Sequence, residues 1–168
     1  MKLVYPNKRY IESYRAALEE YKDHKIQNYS FTDVNETDVV KKFYNYRHNI
    51  NLKPNRVPQT TYWLIDGEEF IGEISIRHYL IDSLLKHGGH IGYGIRCSKW
   101  NLGYGTKMLT LALKKAKTMG LEKVLITCNK DNVGSAKVIE NNGGMLENIV
   151  ENIIEGKKIY TKRYWINL

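Results

Sequence analysis

The chain has 168 residues, a length that fits one domain with its own core. A core of this size buries roughly 70% of the unfolded chain's surface, so no disulfide or metal staple is needed. With 42% hydrophobic and 11% aromatic residues, disorder, collagen and coiled coil are excluded. The formal charge of +8 points to an anionic partner, which can be nucleic acid, a membrane surface or a phosphorylated ligand. Met1 to Tyr10 contain no apolar h-region of a secretory signal. No apolar run approaches the roughly 18–20 residues of a membrane span. Cys97 and Cys128 are the only cysteines, too few for a disulfide framework, so a reducing cytoplasm is the expected compartment. Histidines 24, 48, 78, 87 and 90 show no zinc spacing, and no metal is expected.

In chain order, the three- and four-residue steps of Ile11, Tyr14, Leu18 and Tyr21 predict a helix over Arg9 to Tyr29. A second helix is predicted from Thr37 to about Asn49, with Asn35 or Thr37 as N-cap and Val39, Val40, Phe43 and Tyr46 as apolar residues. Pro54 and Pro58 mark a loop. The period then changes. Thr60 to Ile65 and Phe70 to Leu80 read as strands joined by an Asp66-Gly67 turn. A polar link through Lys86 to Gly89 leads to a third strand, His90 to Arg96, completing an antiparallel meander. After a glycine loop comes a helix to Met119, stopped at Gly120. Lys123 to Cys128 is a buried strand. Asn132 caps a helix through Glu140. Two tail strands, about Met145 to Ile154 and Lys158 to Ile166, hinge at Glu155-Gly156. The order is α-α-β-β-β-α-β-α-β-β, within a single domain over 1–168.

The most informative feature is strand, then Gly103-Tyr104-Gly105, then helix. Glycines let a ligand approach the backbone. The first N–H groups of the following helix supply donors and a partial positive charge. Such a junction suits phosphate; the plainer reading is a tight turn. A Rossmann fingerprint is excluded because Met108 stands where a third glycine is required. Gly105-Thr106-Lys107 has the wrong order for a P-loop.

Three linked pieces resemble the GNAT superfamily of acyl-CoA N-acetyltransferases. Trp100-Asn101-Leu102-Gly103-Tyr104-Gly105 is similar to its Arg/Gln-x-x-Gly-x-Gly/Ala signature. His90-Ile91-Gly92-Tyr93-Gly94-Ile95 is similar to the E-I-G-Y-x-I strand of the ribosomal-protein N-acetyltransferase branch. Asn132 to Gly143 resembles the family's Asn-x-x-Ser…Asn-Gly helix. The match covers about residues 60 to 165.

The resemblance implies an α/β (α+β) fold: a mixed, mostly antiparallel sheet with helices on both faces. It also implies acetyl-CoA as co-substrate. Its pyrophosphate would lie on the amides of Leu102, Gly103, Tyr104, Gly105 and Thr106. Its pantetheine arm would run beside Ile95, Arg96 and Cys97, with Asn132 and Ser135 on the far side. The reaction implied is direct attack of a primary amine on the thioester, with a backbone N–H near Ile95 as oxyanion donor. Trp100 departs from the usual Arg or Gln. Ile139 stands where many members carry a proton-donating Tyr, so Tyr93, Tyr104 and Tyr160 become the candidate donors.

For the base, His90 is first choice because it fills the Glu slot of E-I-G-Y and has a suitable ordinary pKa; the structural alternative is an ordinary strand-start histidine. Glu73 is second and His78 third. Neither cysteine reads as a nucleophile. The acceptor is a small-molecule or peptide amine, no membrane partner is expected, and a homodimer is left open. Two other readings stand beside the enzyme. A CoA-binding sensor is motivated by Ile139. A nucleic-acid-binding domain is motivated by Lys157, Lys158, Lys162 and Arg163 among Tyr160, Tyr164 and Trp165.

Overall fold

The computed structural model describes residues 1–24, 38–154 and 156–168. The predicted order holds with two additions. A short edge strand, β1 (Lys2–Val4), precedes the first helix, and a five-residue helix, α3 (Asp82–Lys86), lies within the polar link. The other elements are α1 (Ile11–Asp23), α2 (Val39–Arg47), β2 (Gln59–Asp66), β3 (Glu69–Arg77), β4 (Ile91–Ile95), α4 (Tyr104–Thr118), β5 (Lys123–Asn129), α5 (Val133–Glu140), β6 (Met145–Ile154) and β7 (Lys157–Asn167). The expected end of the first helix at Tyr29, the Asn35 and Thr37 caps, and Glu155 of the hinge lie outside the described residues. β3 stops at Arg77 rather than Leu80, because the backbone turns there into α3.

Local chemistry explains the boundaries. Asp38 caps α2 by accepting from Lys41 N–H at 3.0 Å, and Asn132 caps α5 by accepting from Ser135 N–H at 2.9 Å. Such side-chain acceptors satisfy donors that the helix cannot. Gly120 ends α4 in the left-handed conformation, φ +86°, the usual stop for a helix.

All seven strands form one sheet in the order β1-β2-β3-β4-β5-β7-β6. Every neighbouring pair is antiparallel except β4 and β5. Because side chains alternate across a strand, each face has its own core. On one face α4 and α5 cover Ile74, Ile76, Ile91, Ile126 and Tyr164. On the other, α1 and α2 cover Trp63, Ile65 and Phe70, with Tyr14 stacked on Trp63 at 4.6 Å. The basic tail forms β7. Tyr164 is buried, while Lys158 and Arg163 pair with Glu151 and Glu147 at 3.1 and 2.8 Å. Lys158, Tyr160, Lys162 and Tyr164 share one face of β7, and Lys157, Arg163 and Trp165 the other.

The decisive feature is a splay. The parallel β4–β5 ladder contains one pair, Ile91↔Ile126. On its other side β4 stays bound to β3 from Ile91 to Ile95. Arg77 N–H donates to His90 C=O and Arg96 N–H to Ile71 C=O. Alternation therefore turns the peptide groups of Tyr93 and Ile95 toward the gap beside β5.

Candidate active site

The glycine loop closes the mouth of this gap. Gly103 sits at φ +78° as the N-cap of α4, with no side chain capping the helix and no acidic residue in its first turn. The first helical bond runs from Lys107 N–H to Gly103 C=O at 3.1 Å. The amides of Tyr104, Gly105 and Thr106 precede that ladder and form a donor cluster at the positive end of the helix dipole. Gly105 serves packing: a Cβ there would stand 3.0 Å from Val138 Cγ2. Asn142 locks α5 to α4, donating to Thr106 C=O at 3.2 Å and accepting from Thr110 Oγ1 at 2.7 Å. That role accounts for the Asn-Gly end of the third sequence motif.

Between loop, β4 and α5 opens a cleft of about 730 Å³. Eight sequence-predicted residues line it: Tyr93, Ile95, Gly103, Tyr104, Gly105, Thr106, Asn132 and Ser135. Tyr21 from α1 joins them, with Lys99, Trp100 and Lys137. Lys137 adds positive charge that suits phosphates, while Lys99 is paired with Glu69 at 2.9 Å. Tyr21 was legible in the sequence only as an apolar position of a helix.

Leu102, Arg96, Cys97, His90 and Glu73 do not line the cleft, nor do the alternative candidates His78 and Tyr160. Leu102 projects to solvent, 62% exposed. Arg96 turns toward α1, donating through Nε to Glu20 at 2.9 Å and through Nη1 to Glu69 at 3.2 Å. Burial alone raises the Glu20 pKa, but its bonds from Arg96 and Ser98 outweigh that and hold it below the ordinary value. Cys97 is buried, and burial with nearby Glu20 pushes its thiol up to about 11. Burial likewise raises the Cys128 thiol. Both are protonated at neutral pH, as a route without a cysteine nucleophile requires.

His90 is the fourth. Its Nδ1 accepts Leu125 N–H at 2.9 Å, while its backbone N–H donates to Leu125 C=O at 2.7 Å. The residue thus clamps β4 to β5 at the closed end of the splay. Burial, with Arg77 nearby, holds its pKa down to about 4. The folded value lies below the ordinary 6.5, so the stability tied to neutral His90 is full above that pH. It is lost as pH falls toward 4. Burial also lowers His78 and His87, which act in the same sense. Thermal melts of the parent are expected to drop across this window, and His90→Gln, which keeps an acceptor for Leu125, to drop less.

Glu73 is the fifth. It is buried, accepts Trp63 Nε1–H at 3.0 Å and lies directly across the ladder from Gly94. Gly94 lines the cleft and carries no side chain. The backbones of Glu73 and Gly94 therefore lie one strand spacing, about 4.8 Å, apart. His78 is elsewhere, its Nε2 2.9 Å from Thr60 Oγ1.

Tyr93 reaches across the gap. Its hydroxyl lies 2.9 Å from Ser135 Oγ and donates to Ser135 C=O at 3.2 Å. Burial raises its pKa, so it keeps its proton at neutral pH. Ile139, at the position usual for Tyr, is fully buried in the core behind the cleft. Tyr160 is far from this point and donates to Glu151 at 3.2 Å.

Known proteins carry the same architecture. No curated protein sequence matches the chain. Among solved structures, the microcin C7 self-immunity acetyltransferase MccE, in complex with acetyl-CoA and AMP, superposes with a TM-score of 0.74 at 16% identity, covering 99% of this chain and 91% of that one. RimL, a ribosomal L7/L12 alpha-N-protein acetyltransferase in complex with coenzyme A, gives 0.73 at 17%, covering 99% and 93%. A mutant form of the spermidine N-acetyltransferase SpeG from Vibrio cholerae gives 0.67 at 16%, covering 99% and 95%. At such identities the likeness is one of fold. The family model for the acetyltransferase (GNAT) domain matches residues 9–145, the span that contains the splay, the glycine loop and α5, and with it the chain belongs to the GNAT acetyltransferase family.

Proposed function

We propose that the protein moves an acetyl group from acetyl-CoA to a primary amine by direct attack in a ternary complex. The observation that carries this reading is the β4–β5 splay with the uncapped amides of α4 at its mouth. The cleft's amide donors, Lys137 and volume fit a pyrophosphate with an extended arm. Structural neighbours bound to acetyl-CoA or coenzyme A support the same choice. Tyr104, Gly105 and Thr106 hold the phosphates through their amides, and Asn132 and Ser135 face the arm from α5.

Acetyl-CoA supplies an activated acyl carbon and a thiolate leaving group. The amine forms the C–N bond as the C–S bond breaks, and Ile95 N–H, turned into the gap, stabilises the carbonyl oxygen. An amine of pKa ~10 arrives as ammonium and must lose a proton first. Glu73, rather than His90, receives that proton, because His90 Nδ1 is already committed to Leu125. Tyr93, with Ser135, returns a proton to sulfur.

A thiol of pKa near 8.5 leaves well even without help. Tyr93→Phe is therefore expected to lower kcat by about one to two orders of magnitude, the low end of proton-transfer effects, with KM for acetyl-CoA little changed. Calorimetry with acetyl-CoA and thiol release across an amine panel test the function itself. Binding without turnover on any amine would favour the CoA-sensor reading. No binding would overturn both.

A further inference from the structure

Ile95 offers its peptide groups to the splay, yet its carbonyl is already occupied. Trp100 Nε1–H donates to Ile95 C=O at 2.7 Å, and the Tyr21 hydroxyl donates to the same oxygen. A carbonyl oxygen has two lone pairs, so both are in use. All three residues line the cleft. The indole is held from the side as well. It stacks on His24 at 5.6 Å and 24°, and meets the Tyr21 ring edge-on at 6.3 Å. Trp100 remains 42% exposed, so one side of the indole borders solvent and leaves room for it to move outward.

We propose that Trp100 gates the cofactor arm: its indole N–H occupies the backbone acceptor that an amide-bearing ligand in the splay needs, and such a ligand binds by displacing it. The inference rests on the acetyl-CoA reading above. The pantetheine arm is an extended chain with secondary amides, and an extended chain beside an unpaired strand binds through main-chain hydrogen bonds. To reach Ile95 C=O, an amide N–H of the arm must evict Trp100 or Tyr21. The nucleotide end meets α4 instead and is indifferent to this exchange. Trp100 is thus a positioning residue that sets how strongly the arm, as opposed to the nucleotide, is held. Tyr21 links the same carbonyl to α1.

Calorimetric titration of the parent, Trp100→Phe and Tyr21→Phe with CoA and with 3′,5′-ADP, which lacks the arm, separates the two ends. Trp100→Phe keeps an aromatic ring and removes the N–H; Tyr21→Phe removes only the hydroxyl. Each variant is expected to bind CoA about three- to tenfold more tightly, as release of one net hydrogen bond allows, with 3′,5′-ADP affinity unchanged. The fluorescence difference between parent and Trp100→Phe is expected to shift on adding CoA and not on adding 3′,5′-ADP. Unchanged or weakened CoA affinity in Trp100→Phe overturns the gate, whatever Tyr21→Phe does, while leaving the acetyltransferase reading intact. A parallel change for 3′,5′-ADP also overturns it, by placing Trp100 on the nucleotide. Failure of the parent to bind CoA overturns the acetyltransferase reading and the gate together.

Discussion

Glu73→Gln is expected to lower kcat by about two to four orders of magnitude at pH 7, the range of positioned general-base catalysis. Gln keeps the size of Glu and an oxygen that accepts from Trp63 Nε1–H, which Glu73 holds at 3.0 Å. The fold and acetyl-CoA affinity are therefore preserved, and the loss falls on proton removal. The defect should shrink as pH approaches the amine's own pKa of ~10, where the acceptor is already neutral. Steady-state rates across pH 6 to about 10, with the best amine of the panel, test this. A variant with the parent's kcat and pH profile would show that Glu73 takes no proton. His90→Gln is the control, and its catalytic pH profile is expected to match the parent's.

Gly103→Val is expected to weaken acetyl-CoA binding, for a different reason. A Cβ at Gly103 would meet nothing within 4 Å, so the obstacle is conformation rather than space. At φ +78° a β-branched residue is strained by roughly 1–3 kcal/mol. The loop relieves that strain by turning its amides away from the phosphates. Affinity is expected to fall about ten- to a hundredfold, with a circular dichroism spectrum like the parent's. Gly105→Val acts through packing instead, pushing on Val138 at 3.0 Å, and is expected to lower the melting temperature as well. Equal affinity in Gly103→Val and the parent would refute the loop as the phosphate cradle.

Much of the site was legible because it is local. Gly103, Tyr104, Gly105 and Thr106 lie on consecutive residues, and their amides converge through the geometry of one turn. Asn132 and Ser135 lie on one cap. The choice between His90 and Glu73 as the proposed base was not legible, since it depends on partners far away in sequence. The Glu slot of the strand motif pointed to His90, but the 35-residue separation to Leu125 hides the hydrogen bond that commits Nδ1. Glu73 gains its place only through the β3–β4 register, which sets it opposite Gly94. Arg96 and Cys97 follow the signature strand, yet Glu20 and Glu69 draw Arg96 to the other side.

By itself the sequence determined the elements with strong short-range signals. These are the three-strand meander, the glycine-headed helix, the Asn-capped helix and the tail hairpin, together with a charge suited to a phosphate-rich ligand. Alternation, capping and left-handed glycines act within a few residues, so they can be read without the fold. The family resemblance implies that the strand after the glycine-headed helix diverges from the signature strand, and the tertiary structure set where: β4 and β5 run parallel and part after one pair. It also added β1 and α3, whose three and five residues are too few to show a period. The splay turns Ile95 toward a cleft and Trp100 toward Ile95, because strand pairing over long separations determines which peptide groups remain open to a ligand.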